Sequence, residues 1–376
     1  MLKKQNRKFG KKVRVLLTSG HAAATAYAVI EELKSRGNIV WEIYFIGASK
    51  AIEGKKISTL EFMTLPKLGV ISYPLFTGRI QRRFSFWTIP SLIKIPFGLI
   101  HALFLVFKIK PEITLSFGGY AAFPVVLASW LLRVPVVVHE QTVAAGRANR
   151  LSSIFAKKVA MARLESQSFF PRAKCVEVGN PVSKEIAKIK PKASLGKPPV
   201  IFITGGSRGS IVVNDLLEKI LERLLANFYV IHQTGVYQLG KFTEIKGNLN
   251  KDLAGRYQVY GIIEPWNWGR ILEKADIIIS RAGANVVSEI MVIKRPAILI
   301  PLPFTYQDEQ TKNALYAQNF GIARVLTEDS LTSDKMLRQI YEVRANWYKI
   351  IKKVRKKVSP DRQAAAKLVD IVEKFI

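Results

Sequence analysis

The stretch Ser280–Ala314, SRAGANVVSEIMVIKRPAILIPLPFTYQDEQTKNA, decides the fold. The residues just before it, ADIII at 275–279, form a continuous apolar run of the kind that becomes a strand buried on both faces of a parallel sheet. Ala282, Gly283 and Ala284 then let the backbone approach a ligand closely, and Asn285–Val292 predicts a helix whose first amides favour negative charge. A second strand, Ala297–Pro301, leads to the polar cluster Gln307, Asp308, Glu309 and Gln310. In open α/β sheets ligands bind beyond the carboxyl ends of strands, and both polar sets fall there. A carboxylate such as Glu289 beside that turn suits a vicinal diol, as on a ribose, better than it suits a phosphate.

The same alternation extends outward in both directions. Strands are predicted at Val13–Leu17, Val40–Ile46, Ile113–Ser116, Val134–Val138 and Lys158–Ala160, with helical patterns such as Ala22–Arg36 and Ala122–Leu132 between them. A second series follows at Val200–Thr204, Tyr229–Gln233, Tyr257–Tyr260, Asp276–Ile279 and Ala297–Ile300. The expected fold is α/β, with two doubly wound parallel-sheet (Rossmann-like) domains facing a cleft. Residues 1–12 read as a basic arm, 13–183 as the first domain, 184–199 as a Lys- and Pro-rich linker and 200–358 as the second domain. A C-terminal helix over 359–376, after the break at Ser359 and Pro360, is expected to pack back on the first domain.

At 376 residues the chain is longer than one core usually holds. Its single cysteine, Cys175, excludes an intramolecular disulfide framework and a thiolate metal cluster. The four histidines, His21, His101, His139 and His232, have no ligand spacing, so no metal or other cofactor is expected. The formal net charge of +30 calls for a polyanionic partner or surface. Residues 62–111 hold seven cations and no acid, and between 76 and 110 Lys94, Lys108 and Lys110 alternate with Phe76, Phe84, Trp87, Phe97, Phe104 and Phe107. That mixture suits a lipid interface, where aromatics bury and cations meet anionic headgroups. Aromatics also stack on single-stranded bases, but no RNP-like, helix-turn-helix or zinc-finger signature occurs, so no nucleic acid is expected. The segment Thr88–Phe107 approaches the length of a membrane span, yet Lys94, Pro90, Pro96, Gly98 and His101 favour an interfacial or core helix.

Several turns at strand ends carry polar or glycine-rich sequences. Gly205, Gly206, Ser207 and Gly209 lie between a strand and a helix and either cradle phosphate oxygens or form a plain tight turn. The loop is neither a Walker A nor a GxGxxG sequence. Thr18, Ser19, Gly20 and His21 follow the first strand; His21 is either a general base or a helix-start hydrogen-bonding group. SFGGYAAFP at 116–124 is a further glycine turn, and His139, Glu140 and Gln141 end another strand.

Taken in order, TSGH at 18–21, SFGGYAAFP at 116–124, PVVVHEQ at 135–141, GNPV at 179–182, GGSRG at 205–209, HQTG at 232–235, AGANVVSE at 282–289 and DEQTKNA at 308–314 resemble the MurG family of N-acetylglucosaminyltransferases. The resemblance spans nearly the whole chain. It implies the two-domain GT-B fold and inverting transfer of GlcNAc from UDP-GlcNAc to lipid I, giving lipid II for peptidoglycan, by an enzyme peripheral to the cytoplasmic face of the cell membrane. Two other readings remain: a GT-B enzyme with another lipid acceptor, and a non-catalytic nucleotide-sugar-binding protein at the membrane. By the resemblance, donor binding falls to Thr18, Ser19, Gly20, Ser207, Ile263, Ala284, Ser288, Glu289 and Gln310. Glu289 takes the ribose hydroxyls, Ile263 lies against the uracil and Gln310 reaches the sugar. His21 is the implied base, and Gly118, Gly119, Tyr120 and Glu140 line the acceptor side. The chain departs from the family's pattern where Ser19 replaces a glycine, Thr142 an asparagine, Ser183 an arginine and Arg208 a glutamine. Asn285 and Val286 replace leucine and threonine, and Thr311 follows Gln310 in place of a second glutamine.

Overall fold

The computed structural model describes residues 11–20, 22–49, 58–78, 88–206 and 208–376, with the backbone alone of 88–93. His21 and Ser207, most of the basic arm, and the cations and aromatics at 79–87 lie outside the described residues. The chain divides into two units, one of residues 1–141, 145–183 and 363–376, the other of residues 142–144 and 184–362.

The first unit is built on a parallel sheet of β1 (Lys11–Ser19), β2 (Ile39–Gly47), β3 (Ile71–Pro74), β4 (Ile113–Ser116), β5 (Val136–Glu140), β6 (Lys158–Met161) and β7 (Cys175–Glu177). The order is β3-β2-β1-β4-β5-β6-β7, so the direction of winding reverses between β1 and β4. Alternation along β1 sorts the core. Val15 and Leu17 face the layer holding Ala26, Val29, Ile30, Leu33, Leu368 and Val372, whereas Leu16 faces Ala102, Leu105, Val106 and Val125. Helix Ala364–Glu373 belongs to this unit and packs on helix Ala23–Ser35. Arg36 fastens the two by pairing with Glu32 (3.0 Å), Asp370 (2.7 Å) and Glu373 (2.8 Å).

The second unit carries β8 (Val200–Thr204), β9 (Tyr229–Gln233), β10 (Tyr257–Tyr260), β11 (Ile277–Ser280), β12 (Ala297–Leu299) and β13 (Ala323–Val325), in the order β10-β9-β8-β11-β12-β13. Every paired register is parallel. Here the reversal falls between β8 and β11. Ile201, Ile203, Ile277, Ile279 and Ile298 pack with Val213, Leu217, Phe228 and Trp347 on one face.

Residues 184–199, expected as a linker, are instead fixed to the second unit. They open with a short helix, Lys184–Lys188, and Ile186 and Ile189 are buried. The Lys192 ammonium then reaches the buried Asp276 carboxylate at 2.8 Å. Composition suggested a solvated tether, but Lys192 has a specific buried acceptor.

Candidate active site

In each unit the glycine turns and polar clusters gather where the strand order reverses, the position at which loops of opposite winding separate and leave a crevice. In the second unit the loop after β8 packs against the loop after β9 because two glycines allow it. Gly209 has φ +75°, and a Cβ there would lie 2.1 Å from the Thr234 carbonyl oxygen. Gly235 has φ +80°, and its Cβ would lie 2.4 Å from the Arg208 carbonyl oxygen. Below them Asn214 donates to the Thr234 carbonyl (2.9 Å), while His232 bonds the Tyr257 hydroxyl (2.9 Å) and Asn214 (3.1 Å). Burial lowers the His232 pKa to about 3, which keeps the ring neutral and makes it a brace rather than a proton carrier.

Across the reversal, Arg281 at the end of β11 donates from Nε to Ser210 Oγ (3.1 Å) and pairs with Glu328. Ser210 in turn caps helix Ile211–Glu218 by accepting from the Val213 amide (3.4 Å). The chain enters helix Ala284–Ile293 through Gly283, which has no side chain to cap the first amides. Ser288 is fully buried in that helix, and Ala284 is half-buried at its start. Glu289, one residue on, is 5% exposed. The Trp268 indole donates to its Oε2 at 2.7 Å, and Trp268 stands edge-on to Phe202. Burial raises the Glu289 carboxyl to about pKa 8, with the indole bond opposing that rise. Ile263 is buried, one residue before the glutamate that opens helix Pro265–Lys274. Gln310 Oε1 accepts from the Leu302 amide (3.0 Å). The turn that delivers it is held in left-handed backbone at Gln307 (φ 53°) and Asp308 (φ 52°).

In the first unit the loops after β1 and β4 touch through glycine. The Gly20 amide donates to the Gly118 carbonyl at 2.7 Å, and a Cβ on Gly119 (φ +91°) would lie 2.6 Å from the Gly20 Cα. Gly119 is exposed and Tyr120 half-buried. Thr18 is fully buried, and its hydroxyl has no hydrogen-bond partner among the described residues. Ser19 is also buried and bonds Glu61. Glu140 lies inside the fold, where Oε2 accepts from the Gly146 amide (3.1 Å) and Asn149 Nδ2 (2.9 Å). It therefore shapes the 141–146 turn through hydrogen bonds to its own unit. Among the described residues no three His, Cys, Asp or Glu side chains gather as a metal site would require.

Two family models cover these two halves: the glycosyltransferase family 28 N-terminal domain matches residues 18–161, and the C-terminal domain matches 200–371. The UDP-N-acetylglucosamine--N-acetylmuramyl-(pentapeptide) pyrophosphoryl-undecaprenol N-acetylglucosamine transferase of Legionella pneumophila (strain Paris) is 32% identical over 95% of this chain and 94% of its own length. The chain belongs to the MurG family of glycosyltransferases. The enzyme of the same name from Geobacillus kaustophilus is also 32% identical, over 89% of this chain and 91% of its own. Among solved structures, Acinetobacter baumannii MurG aligns with TM-score 0.69 at 26% identity, covering 96% of this chain and 99% of that one. The UDP-GlcNAc 2-epimerase of Neisseria meningitidis, solved with UDP-GlcNAc bound, aligns with TM-score 0.63 at 16% identity over 96% of this chain and all of that one, and shares the fold. The GT-B fold expected from the sequence is the family's, and the chain is a glycosyltransferase.

Outside the two crevices, helix Thr88–Ile109 presents an apolar stripe to solvent. Phe97, Ile100, Phe104 and Phe107, at spacings of one helical turn, are 59%, 64%, 60% and 64% exposed, while Ala102, Leu105, Val106 and Ile109 on the other face are buried. Lys94 lies 6.0 Å from the ring of Phe76, and Lys110 5.7 Å from that of Phe107. The neighbouring helices Ala122–Leu131 and Arg147–Phe155 add exposed Trp130, Leu131, Leu151 and Ile154. Among the described residues no helix is long and apolar enough to cross a membrane.

Three residues of the crevices escaped the sequence reading. Trp268 and Arg281 sit at the right strand and helix ends, but nothing in their local sequence distinguishes them from packing residues. Glu61 is 39 residues from the amide it binds, and only the fold brings them together.

Proposed function

We propose that this chain transfers N-acetylglucosamine from UDP-GlcNAc to the muramyl hydroxyl of undecaprenyl-linked lipid I, inverting the sugar's anomeric centre and producing lipid II. The observation that carries the reading is Glu289: a buried carboxyl at the β8/β11 reversal, on a helix that the chain enters through Gly283 with no side-chain cap. In this reading Glu289 takes the ribose hydroxyls, Ile263 flanks the uracil, Gln310 contacts the GlcNAc hydroxyls, and Ala284 and Ser288 shape the turn. Ser207 and the loop Thr18–Gly20 meet the diphosphate. His21 takes the acceptor's proton, the freed oxygen attacks C1, and the bond from C1 to the diphosphate oxygen breaks with its electron pair leaving on UDP. Helix amides and Arg281 offset the charge that develops there, so the step calls on no resident cofactor. Gly118, Gly119 and Tyr120 face the acceptor, with Glu140 holding the adjoining turn.

The test is UDP release on mixing the chain with UDP-GlcNAc and a short-chain lipid I analogue, with Glu289→Ala as control. Transfer well above the control is expected; release no greater than the control's overturns the assignment. Replacing UDP-GlcNAc with UDP-glucose, or lipid I with a diacylglycerol, reads donor and acceptor choice in the same assay.

The exposed stripe on helix Thr88–Ile109 supports a peripheral position on the cytoplasmic face of the membrane, where the lipid acceptor resides. Burying one such side chain is worth about 1.5–3 kcal/mol, so Ile100→Glu with Phe104→Glu is expected to weaken binding to phosphatidylglycerol vesicles more than about tenfold. Turnover on a detergent-soluble acceptor should persist. Unchanged sedimentation of the double variant with vesicles would remove this surface from the proposal.

A further inference from the structure

Helix Ala23–Ser35 begins at Ala22, which has no side chain able to cap it. The missing acceptor comes from elsewhere in the chain. Glu61, on the short helix Leu60–Thr64, is 2% exposed and directs Oε1 to the Ala22 amide at 2.7 Å. The same oxygen accepts from Ser19 Oγ at 3.1 Å. The base of Glu61's own helix is fixed as well, since Thr59 bonds the Ala48 carbonyl (2.9 Å) through its hydroxyl and the Ser49 carbonyl (2.9 Å) through its amide. One carboxylate oxygen therefore ties the end of β1 to the start of the helix, on either side of the sequence positions Gly20 and His21. The Gly20 amide is tied separately, to Gly118. A negative group at a helix N-terminus is also favoured by the helix dipole.

We infer that Glu61 is a positioning residue for transfer: through one shared oxygen it holds Ser19 and the Ala22 amide, the two described anchors on either side of sequence positions 20 and 21. This inference rests on the reading of that loop as the seat of the base and of diphosphate contacts. It also gives a reason for Ser19 at a position where the family's pattern has glycine, because only a hydroxyl makes the second bond.

Glu61→Ala removes both bonds, whereas Glu61→Gln keeps an Oε1 acceptor for each. Misplacement of catalytic groups by about 1 Å costs on the order of 100-fold, so Glu61→Ala is expected to lower kcat by about 10- to 100-fold, with a smaller loss of UDP affinity through the displaced diphosphate contacts. Glu61→Gln is expected to retain kcat within about threefold of the parent. In the full chain without substrates, amide exchange over residues 16–26 should accelerate in Glu61→Ala and not in Glu61→Gln. Should Glu61→Ala fail to fold, Ser19→Ala reads the single lost tether, with kcat about three- to tenfold lower. The inference is overturned if Glu61→Ala turns over like the parent, if the Gln and Ala variants fall equally, or if exchange over 16–26 is unchanged. An inactive parent chain would instead count against the transferase reading, and the exchange experiment would still decide the role of Glu61.

Discussion

Glu289→Gln is expected to abolish donor binding and, at the same time, to make the second unit more stable at alkaline pH. The carboxyl is buried, its ordinary pKa of 4.5 is raised to about 8, and its one hydrogen bond from Trp268 is not enough to offset desolvation. A folded-state pKa above the unfolded value means that the native state holds the proton more tightly than the unfolded chain does. The group's contribution to stability is therefore fully present below about pH 4.5 and is lost as pH rises through about 8. At pH 7 the loss amounts to about 3 kcal/mol. The amide of glutamine has no charged form, still accepts the Trp268 indole, and escapes that loss. Melting of the second unit at pH 8 should thus rise by several degrees in Glu289→Gln, while at pH 4 the two chains should converge. Binding runs the other way. A ribose diol donates to the ionised carboxylate, so UDP-GlcNAc binding should release a proton and tighten about 25-fold between pH 6.5 and 8.5. Calorimetry in buffers of different ionisation enthalpy measures that proton directly. A parent chain whose affinity is flat over this range, or a Gln variant less stable at pH 8, would contradict the argument.

That conflict between stability and binding explains which parts of the site the sequence made legible. Ile113–Ser116, Val200–Thr204 and Tyr229–Gln233 form strands at the predicted bounds, because a strand deep in a parallel sheet must be largely apolar and turn residues must follow it, and the edge strand Tyr257–Tyr260 keeps its predicted bounds through its aromatic and β-branched residues. The strands that went unnoticed, Ile71–Pro74, Cys175–Glu177 and Ala323–Val325, lie at sheet edges. Edge strands are short and half-solvated, so their pattern carries little signal. Glu289 and Gln310 were legible because each closes a strand-turn-helix unit whose position in the sheet the pattern already fixes. The groups that tune them were not. Trp268 reaches Glu289 from a helix that reads as ordinary packing, and Glu61 reaches Ser19 across a separation that no local pattern encodes. The linker expectation failed for a related reason, since lysines and prolines look the same whether they meet water or a buried carboxylate.

Asp276→Ala tests that last point and is expected to cost the second unit about 3–5 kcal/mol, the usual result of removing one partner from a buried ionic group. The Asp276 side chain is fully buried. Oδ1 accepts from Lys192 Nζ at 2.8 Å, and Oδ2 accepts from the amides of Val200 (2.8 Å) and Gly196 (3.3 Å), so one carboxylate anchors the incoming segment to the first residue of β8. It also offsets Arg295, a fully buried cation that bonds the carbonyls of Ala275 (2.9 Å), Ile293 (2.9 Å) and Lys190 (3.3 Å). Burial lowers the Arg295 pKa to about 10, with Asp276 and then Glu273 opposing the shift. Alanine would leave two amides without acceptors and a buried guanidinium without its nearby counter-charge. Lys192 is one-quarter exposed and can return to water, so Lys192→Met should cost no more than about 1 kcal/mol. Denaturant unfolding of the three chains separates these effects, and limited proteolysis between 184 and 199 should become rapid only in Asp276→Ala. Equal stability of Asp276→Ala and the parent would mean that the segment is held by its apolar residues, Ile186 and Ile189, and that the ionic anchor contributes little. The expected loss would instead make this carboxylate the principal tie between the entering chain and the unit that carries Glu289.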